Sequence, residues 1–221
     1  MSRETFLREM SALGVDVSRE TLGRLDALSD VLLKWQKAIN LVSNSTLNDL
    51  WVRHFLDSAQ LLPFIPPEAR SLADLGTGAG FPGLVISAFR PDITVTLVES
   101  DARKGAYLGE ASRRMGLAKP PKIAIGRIEA VAPVGADVIT ARALAPLGQL
   151  LSWAARHKAP AGICLLHKGA KWRAELDEAL QEWEISYEPF RSITDRDAVL
   201  LRIRSYRTTD HSDRQSEGRG R

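Results

Sequence analysis

Two periodicities divide the chain. Between Ser18 and Leu62 apolar residues recur at helical spacing: Leu22, Leu25, Leu32, Trp35 and Ile39 form one stripe, and Leu47, Trp51, Phe55 and Leu62 form a second. Ser18 is placed to cap the first helix, predicted over residues 18–41, with Glu20 in its first turn. Thr46-x-x-Asp49 has the form of a capping box and predicts the start of the second helix. The other face of that helix carries Arg53, His54, Asp57 and Ser58, which spacing alone reads as a solvated face with an Arg53–Asp57 pair; the alternative is that Arg53, His54 and Asp57 help form a wall for a nucleic-acid partner. Pro63, Pro66 and Pro67 end the helical region, so residues 1–66 are expected to form an α-helical extension.

From residue 71 the period changes. Strand-like runs at Ser71–Leu75, Ile93–Val98, Lys122–Ile125, Asp137–Thr140, Gly162–His167, Glu184–Pro189 and Ala198–Arg204 are mostly separated by helical runs. The helices are predicted at Pro82–Phe89, Ala102–Met115, Leu147–Arg156 and Trp172–Trp183. Such alternation predicts an α/β domain over 67–206, with a mainly parallel seven-stranded sheet and helices on both faces. The last two strands have no helix between them and should pair as an antiparallel hairpin. Residues 207–221 lack apolar side chains and are expected to be a disordered tail; its four arginines against three acids make no strong polybasic arm.

The chain is organised around Leu72-Ala73-Asp74-Leu75-Gly76-Thr77-Gly78-Ala79-Gly80-Phe81-Pro82-Gly83, a strand, a glycine turn and a helix start. Glycines are needed where a side chain would block a ligand or strain the turn, and the helix start offers unpaired N–H groups. Gly78-x-Gly80-x-x-Gly83 matches a dinucleotide fingerprint, a weak signal alone. Gly76-x-Gly78-x-Gly80 behind Asp74 reads better as an S-adenosylmethionine turn, because that acid would face a sulfonium and an amino group and would repel a pyrophosphate. A tight turn that binds nothing is the plain alternative. Against it stands Glu99 at the end of the second strand, where an acid can accept hydrogen bonds from ribose hydroxyls.

Further residues fall at the carboxyl ends of the strands, where parallel sheets bind ligands. Gly126-Arg127-Ile128-Glu129 follows the third strand: Ile128 could pack on an adenine and Glu129 address its edge, or the segment could be a surface helix start. Arg142 ends the fourth strand, Lys168 the fifth, and Arg103 and Lys104 open a helix; with Arg53 and His54 they form a candidate basic rim for phosphates and stacked bases.

Composition changes this picture little. The 221 residues are 44% hydrophobic and 26% charged, with formal charge +3 and pI about 9.2, so nucleic acid is a permissible partner that charge alone does not establish. No apolar run approaches a bilayer span, and Met1–Phe6 lacks a signal-peptide core. The single Cys164 excludes an internal disulfide and fits a reducing compartment. It follows Ile163, not proline, inside an apolar strand, as a core thiol would. No Asn/Asp-Pro-Pro-Tyr element for exocyclic amino groups is present, and no His/Cys cluster has metal-ligand spacing.

Taken in order, Asn40-Leu41-Val42-Ser43, Arg53-His54-Phe55-Leu56-Asp57-Ser58, Asp74 through Gly83, Arg127-Ile128-Glu129, Arg142-Ala143 and Lys168-Gly169 resemble the bacterial RsmG (GidB) family over roughly residues 20–204. Each motif is short; the combination is specific. The resemblance implies a Rossmann-like class I methyltransferase fold and an S-adenosylmethionine-dependent enzyme that methylates guanine N7 in 16S ribosomal RNA of the small subunit. It also implies cofactor contacts at Gly76, Phe81, Ile128, Glu129 and Arg142. Guanine N7 carries no proton, so no catalytic acid or base is expected, and Arg142 is cast as an orienting residue. A cytoplasmic monomer without membrane contact is expected. Other classes on the same fold are a small-molecule methyltransferase, a dinucleotide-dependent oxidoreductase and a catalytically dead RNA-binding scaffold. S-adenosylmethionine against NAD binding separates the oxidoreductase, and salt-sensitive RNA binding disfavours a small-molecule enzyme.

Overall fold

The computed structural model describes residues 3–209. Helix α1 (Arg3–Ala12) precedes α2 (Arg19–Gln36), which Ser18 caps by accepting the Thr21 N–H at 3.0 Å. Helix α2 stops at Gln36, short of residue 41, because the Gln36 side chain turns back and accepts the N–H groups of Leu41 and Val42. The expected second helix is irregular: a 3-10 turn at Asn44–Asp49, π-helical turns at Trp51–Leu56, and one short α-helical stretch, α3 (Asp57–Ala59). Thr46 therefore caps no helix.

The sheet is assembled from β1 (Ser71–Leu75), β2 (Thr94–Glu99), β3 (Lys122–Ile125), β4 (Ala136–Arg142), β5 (Lys158–Lys168), β6 (Trp183–Arg191) and β7 (Val199–Thr208). Its order is β3-β2-β1-β4-β5-β7-β6. Strands β1 to β5 are parallel; β7 inserts antiparallel between β5 and β6. Helices α4 (Gly83–Phe89), α5 (Ala102–Arg114), α6 (Leu147–His157) and α7 (Trp172–Glu182) occupy the crossovers. Strand β7 pairs Arg207 with Glu184 and Thr208 with Trp183, two residues into the stretch expected to be disordered; residues 210–221 of that expected tail lie outside the described residues.

Alternate strand residues feed two cores. Leu72, Leu97 and Leu165 join one hydrophobic cluster, while Ala73, Val98, Cys164 and Leu166 join the other. The first cluster also contains Phe6, Leu28, Phe55 and Leu61, so the N-terminal helices cover one sheet face and share its core. This packing presses the segment from Thr46 to Asp57 against the carboxyl end of the sheet. Among the described residues no helix is long and apolar enough to cross a membrane.

Candidate active site

A cleft of about 1020 Å³ opens at the carboxyl ends of β1, β2, β4 and β5. Its floor is the glycine turn. Gly76 and Gly78 have φ of +62° and +57°, which glycine adopts without penalty. A Cβ on Gly76 would lie 2.4 Å from Leu144 Cδ1, so this glycine also lets the loop after β4 cross the turn closely. Tyr107 steadies the turn by donating to the Ala79 carbonyl at 3.2 Å.

Asp74 does not face the cleft. It is fully buried beneath the turn and accepts from Thr77 Oγ1 at 2.5 Å, Thr140 Oγ1 at 2.8 Å and the Gly83 N–H at 3.0 Å. The expectation that it faces a cofactor is corrected: it braces strand, turn and helix together, and a buried acid with three donors has no reach to spare. Gly80 likewise packs inward, with a Cβ there 2.4 Å from Leu84 Cδ1. Burial raises the Asp74 carboxyl to about 6. A folded value above the ordinary 3.8 means that the folded state binds the extra proton between the two, so this group's contribution to stability falls as pH rises from about 4 to 6. Urea unfolding of wild type and Asp74→Asn across that range should show wild type losing stability relative to the variant as pH rises. Parallel curves would exclude the linkage.

Glu99 lies at the cleft wall, buried, accepting the Gly78 N–H at 2.8 Å through Oε2 and the Asp101 N–H at 2.9 Å through Oε1. Each oxygen keeps a lone pair for a ligand hydroxyl. Ile128 lines the cleft, and Glu129 does so while accepting the Trp153 indole N–H at 3.0 Å.

The opposite wall is a polar cluster around Arg142. Its Nη1 donates to the Arg53 carbonyl and to Asp57 Oδ2, both at 3.1 Å, and its Nη2 donates to His54 Nδ1 at 3.0 Å. The guanidinium lies 5.1 Å from the Phe81 ring centroid, on which the His54 ring also stacks at 5.1 Å. Ala143, next in the chain, has φ +49°, an uncommon value for a residue with a side chain and a mark of local strain at this bend. Asp57 Oδ1 accepts from Thr194 Oγ1 at 2.6 Å and from Gln60 Nε2 at 2.9 Å. Burial pushes the Asp57 carboxyl up, but His167, Arg142 and the Thr194 hydroxyl outweigh it and hold the group below its usual range. His167 donates through Nε2 to the Asp57 carbonyl at 2.7 Å; its Nδ1 is buried without a partner, and burial lowers its basicity.

Apart from Arg53, which stays exposed, the polar face of the segment Arg53–Ser58 is thus turned inward, contrary to its reading as solvated. His54 and Ser58 are buried, and Arg53 pairs with Asp195 at 3.7 Å in place of Asp57. Both nitrogens of His54 are used, which leaves none to contact a phosphate. Of the other rim cations, Arg53 and Lys104 line the cleft, while Arg103 donates to the Ala38 carbonyl outside it. Lys168 also lines the cleft but is buried, donating to the Ala145 carbonyl at 2.9 Å and paired with Glu175, so its charge is held within the protein. Sequence reasoning missed Thr46, His167 and the Ser192–Asp195 loop as cleft residues, and it placed Asp57 on the RNA-facing wall without its partner Arg142. The order His54-x-x-Asp57 beside a strand-ending arginine was the available signal. Among the described residues no His, Cys, Asp or Glu cluster could hold a metal ion.

Cys164 sits in β5 with no exposure, and burial pushes its thiol up to about 12. Cys164→Ala should keep full activity and cost about 1 kcal/mol of stability, measured by urea unfolding. A dead but folded variant would return the thiol to the chemistry.

The architecture is the Rossmann-like fold of class I methyltransferases. Solved structures with this fold include a ribosomal protein L11 methylase from Lactobacillus delbrueckii subsp. bulgaricus, at TM-score 0.55 and 17% identity over 68% of this chain and 77% of that one. Another is M. jannaschii TYW2 in complex with AdoMet, at TM-score 0.53 and 13% identity over 76% and 77%. Residues 22–198 match the GidB family, rRNA small subunit methyltransferase G, and the chain belongs to that family of methyltransferases. Proteins named ribosomal RNA small subunit methyltransferase G are 52% identical over 190 residues in Paramagnetospirillum magneticum, covering 85% of this chain and 90% of that protein. In Jannaschia sp. the relative of the same name is 46% identical over 192 residues, with the same coverage of each chain.

Proposed function

We propose that this enzyme methylates N7 of one guanine in 16S ribosomal RNA of the small subunit, with S-adenosylmethionine as methyl donor. The observation that carries the choice of atom is that the cleft wall is already committed. Asp57, Glu99, Glu129, Glu175 and Asp195 each hold a donor or a cation, both ring nitrogens of His54 are hydrogen bonded, and His167 donates through Nε2 while its one unpartnered nitrogen, Nδ1, is buried. Guanine N7 presents a lone pair and carries no proton, so its methylation asks for no base. An exocyclic amino group would.

The residues fit the cofactor. Gly78 has no side chain to fill the floor: a Cβ there would find only the Gly76 carbonyl, 3.9 Å away. Glu99 has lone pairs facing the cleft for a ribose, and Ile128 offers an apolar surface to a base. Bound S-adenosylmethionine supplies an electrophilic methyl group. Arg142 spends three of its five N–H donors on Arg53, Asp57 and His54, which leaves two to hold cofactor or guanosine. Catalysis by this wall is orientation.

Guanine N7 lies on the major-groove edge, which is deep and narrow in A-form RNA, so the target nucleotide is unpaired or splayed out when bound. Arg53 and Lys104 at the cleft mouth hold the flanking phosphates. The enzyme acts in the cytoplasm as a monomer, a state that sedimentation velocity tests. The deciding experiment is mass mapping of modified guanines in 16S ribosomal RNA from a strain lacking the protein. One guanine should lose an N7 methyl group and regain it on complementation; an unchanged map would refute the assignment.

A further inference from the structure

The hydrogen-bond chain behind Arg142 has a direction that can be read from its two ends. At one end a guanidinium has only donors, so at 3.0 Å the His54 Nδ1 must be the acceptor. At the other end the Thr46 hydroxyl gives its proton to the Ser43 carbonyl at 2.7 Å. Its oxygen is thereby left as an acceptor, and His54 Nε2, 2.8 Å away, must be the donor. Both ends demand the same ring, neutral and protonated on Nε2. Burial and the Arg142 charge, against the opposing pull of Asp57, push the imidazole down to about 3, so a cationic ring does not compete.

We propose that Thr46, acting through the tautomer of His54, is a positioning residue that aims the Arg142 guanidinium into the cleft. The proposal rests on the reading of Arg142 as the orienting residue. Asp57 and the Arg53 carbonyl fix Nη1. Among the described residues only His54 fixes Nη2, and only an unprotonated Nδ1 can do so. With the proton on Nδ1, an N–H would point at the guanidinium and turn it aside. The widened π-helical turns at Trp51–Leu56 bring His54 and Asp57 together onto this one arginine. Thr46, two hydrogen bonds away from Arg142, thereby controls it.

The test pairs nitrogen-15 NMR of His54 with single-turnover methylation of ribosomal RNA. Wild type should show an unprotonated Nδ1 and a protonated Nε2. Thr46→Val removes the acceptor for Nε2–H while keeping the side chain's shape. It should shift the ring toward the Nδ1-protonated tautomer and slow transfer about tenfold, the effect of one hydrogen bond to a charged group. Thr46→Ser keeps the hydroxyl and should retain both signal and rate. His54→Asn, whose amide oxygen can stand in for Nδ1, should retain more activity than His54→Gln, which reaches toward Thr46. A protonated Nδ1 in wild type, or a Thr46→Val enzyme with shifted tautomer and normal rate, would overturn the proposal. If Arg142→Lys also transfers normally, the orienting role of Arg142 itself falls; if only Thr46→Val is normal, that role stands and the relay alone is wrong.

Discussion

Arg142→Lys should slow single-turnover methyl transfer by about a hundredfold while leaving the enzyme folded. The guanidinium is planar and forked, and three of its N–H groups satisfy three acceptors on two different elements. Its plane also lies against Phe81. An ammonium keeps the charge, so Asp57 keeps a counter-ion and the half-buried pair is not broken. It cannot reach the Arg53 carbonyl, Asp57 and His54 at once and still present donors to the cleft. Loss of about two hydrogen bonds to a charged group accounts for a hundredfold. The checks are a rapid-quench assay with enzyme in excess over RNA and a thermal melt of the same sample. A wild-type rate in the folded variant would remove Arg142 from the chemistry.

The arrangement on which this prediction depends was half legible in the sequence. Strand ends and the glycine turn are local features: β1 and β3 begin and end where alternation and turn residues put them. Arg142 was placed at the carboxyl end of β4 by topology alone. Its partners were not legible, because Arg142 and Asp57 meet across a sequence separation of 85. Helical spacing offered Asp57 a nearer partner in Arg53, but the π-helical turns and the burial of that face against the sheet assign it to Arg142. Strand β5 begins at Lys158 and not at Gly162, where Pro160 and Gly162 masked the strand pattern. Helix α1 lies inside the expected helical extension but was not resolved as a separate helix, because only Phe6 and Met10 are buried on it, too few to set a period. It is held by tertiary contact, with Phe6 edge-on to Trp51 at 5.3 Å between ring centroids. Asp74 shows the converse. Its position was right and its direction wrong, since sequence does not say that Thr77, Thr140 and Gly83 converge on it.

Gly78→Val should abolish S-adenosylmethionine binding, lowering affinity by more than about a hundredfold, and should leave most of the fold's stability in place. The two consequences come apart because of where a Cβ would go. At Gly78 the nearest atom to an added Cβ is the Gly76 carbonyl oxygen at 3.9 Å, so a side chain meets no protein and projects into open cleft. The residue has φ +57°, and a β-branched side chain there costs roughly 1–2 kcal/mol in backbone strain, a tolerable loss for a domain of this size. The same strain tilts the Gly78 N–H away from Glu99, which adds to the binding defect. Gly78→Ala carries comparable strain with less bulk and should weaken binding less. Gly80→Val is the contrasting control: its Cβ would lie 2.4 Å from Leu84 Cδ1 and 3.1 Å from Leu108 Cδ2, so it should unfold the enzyme before it tests the site. Titration calorimetry with the cofactor and urea unfolding on the same three variants separate these effects. A folded Gly78→Val protein with unchanged affinity would mean that the cofactor does not lie over this turn.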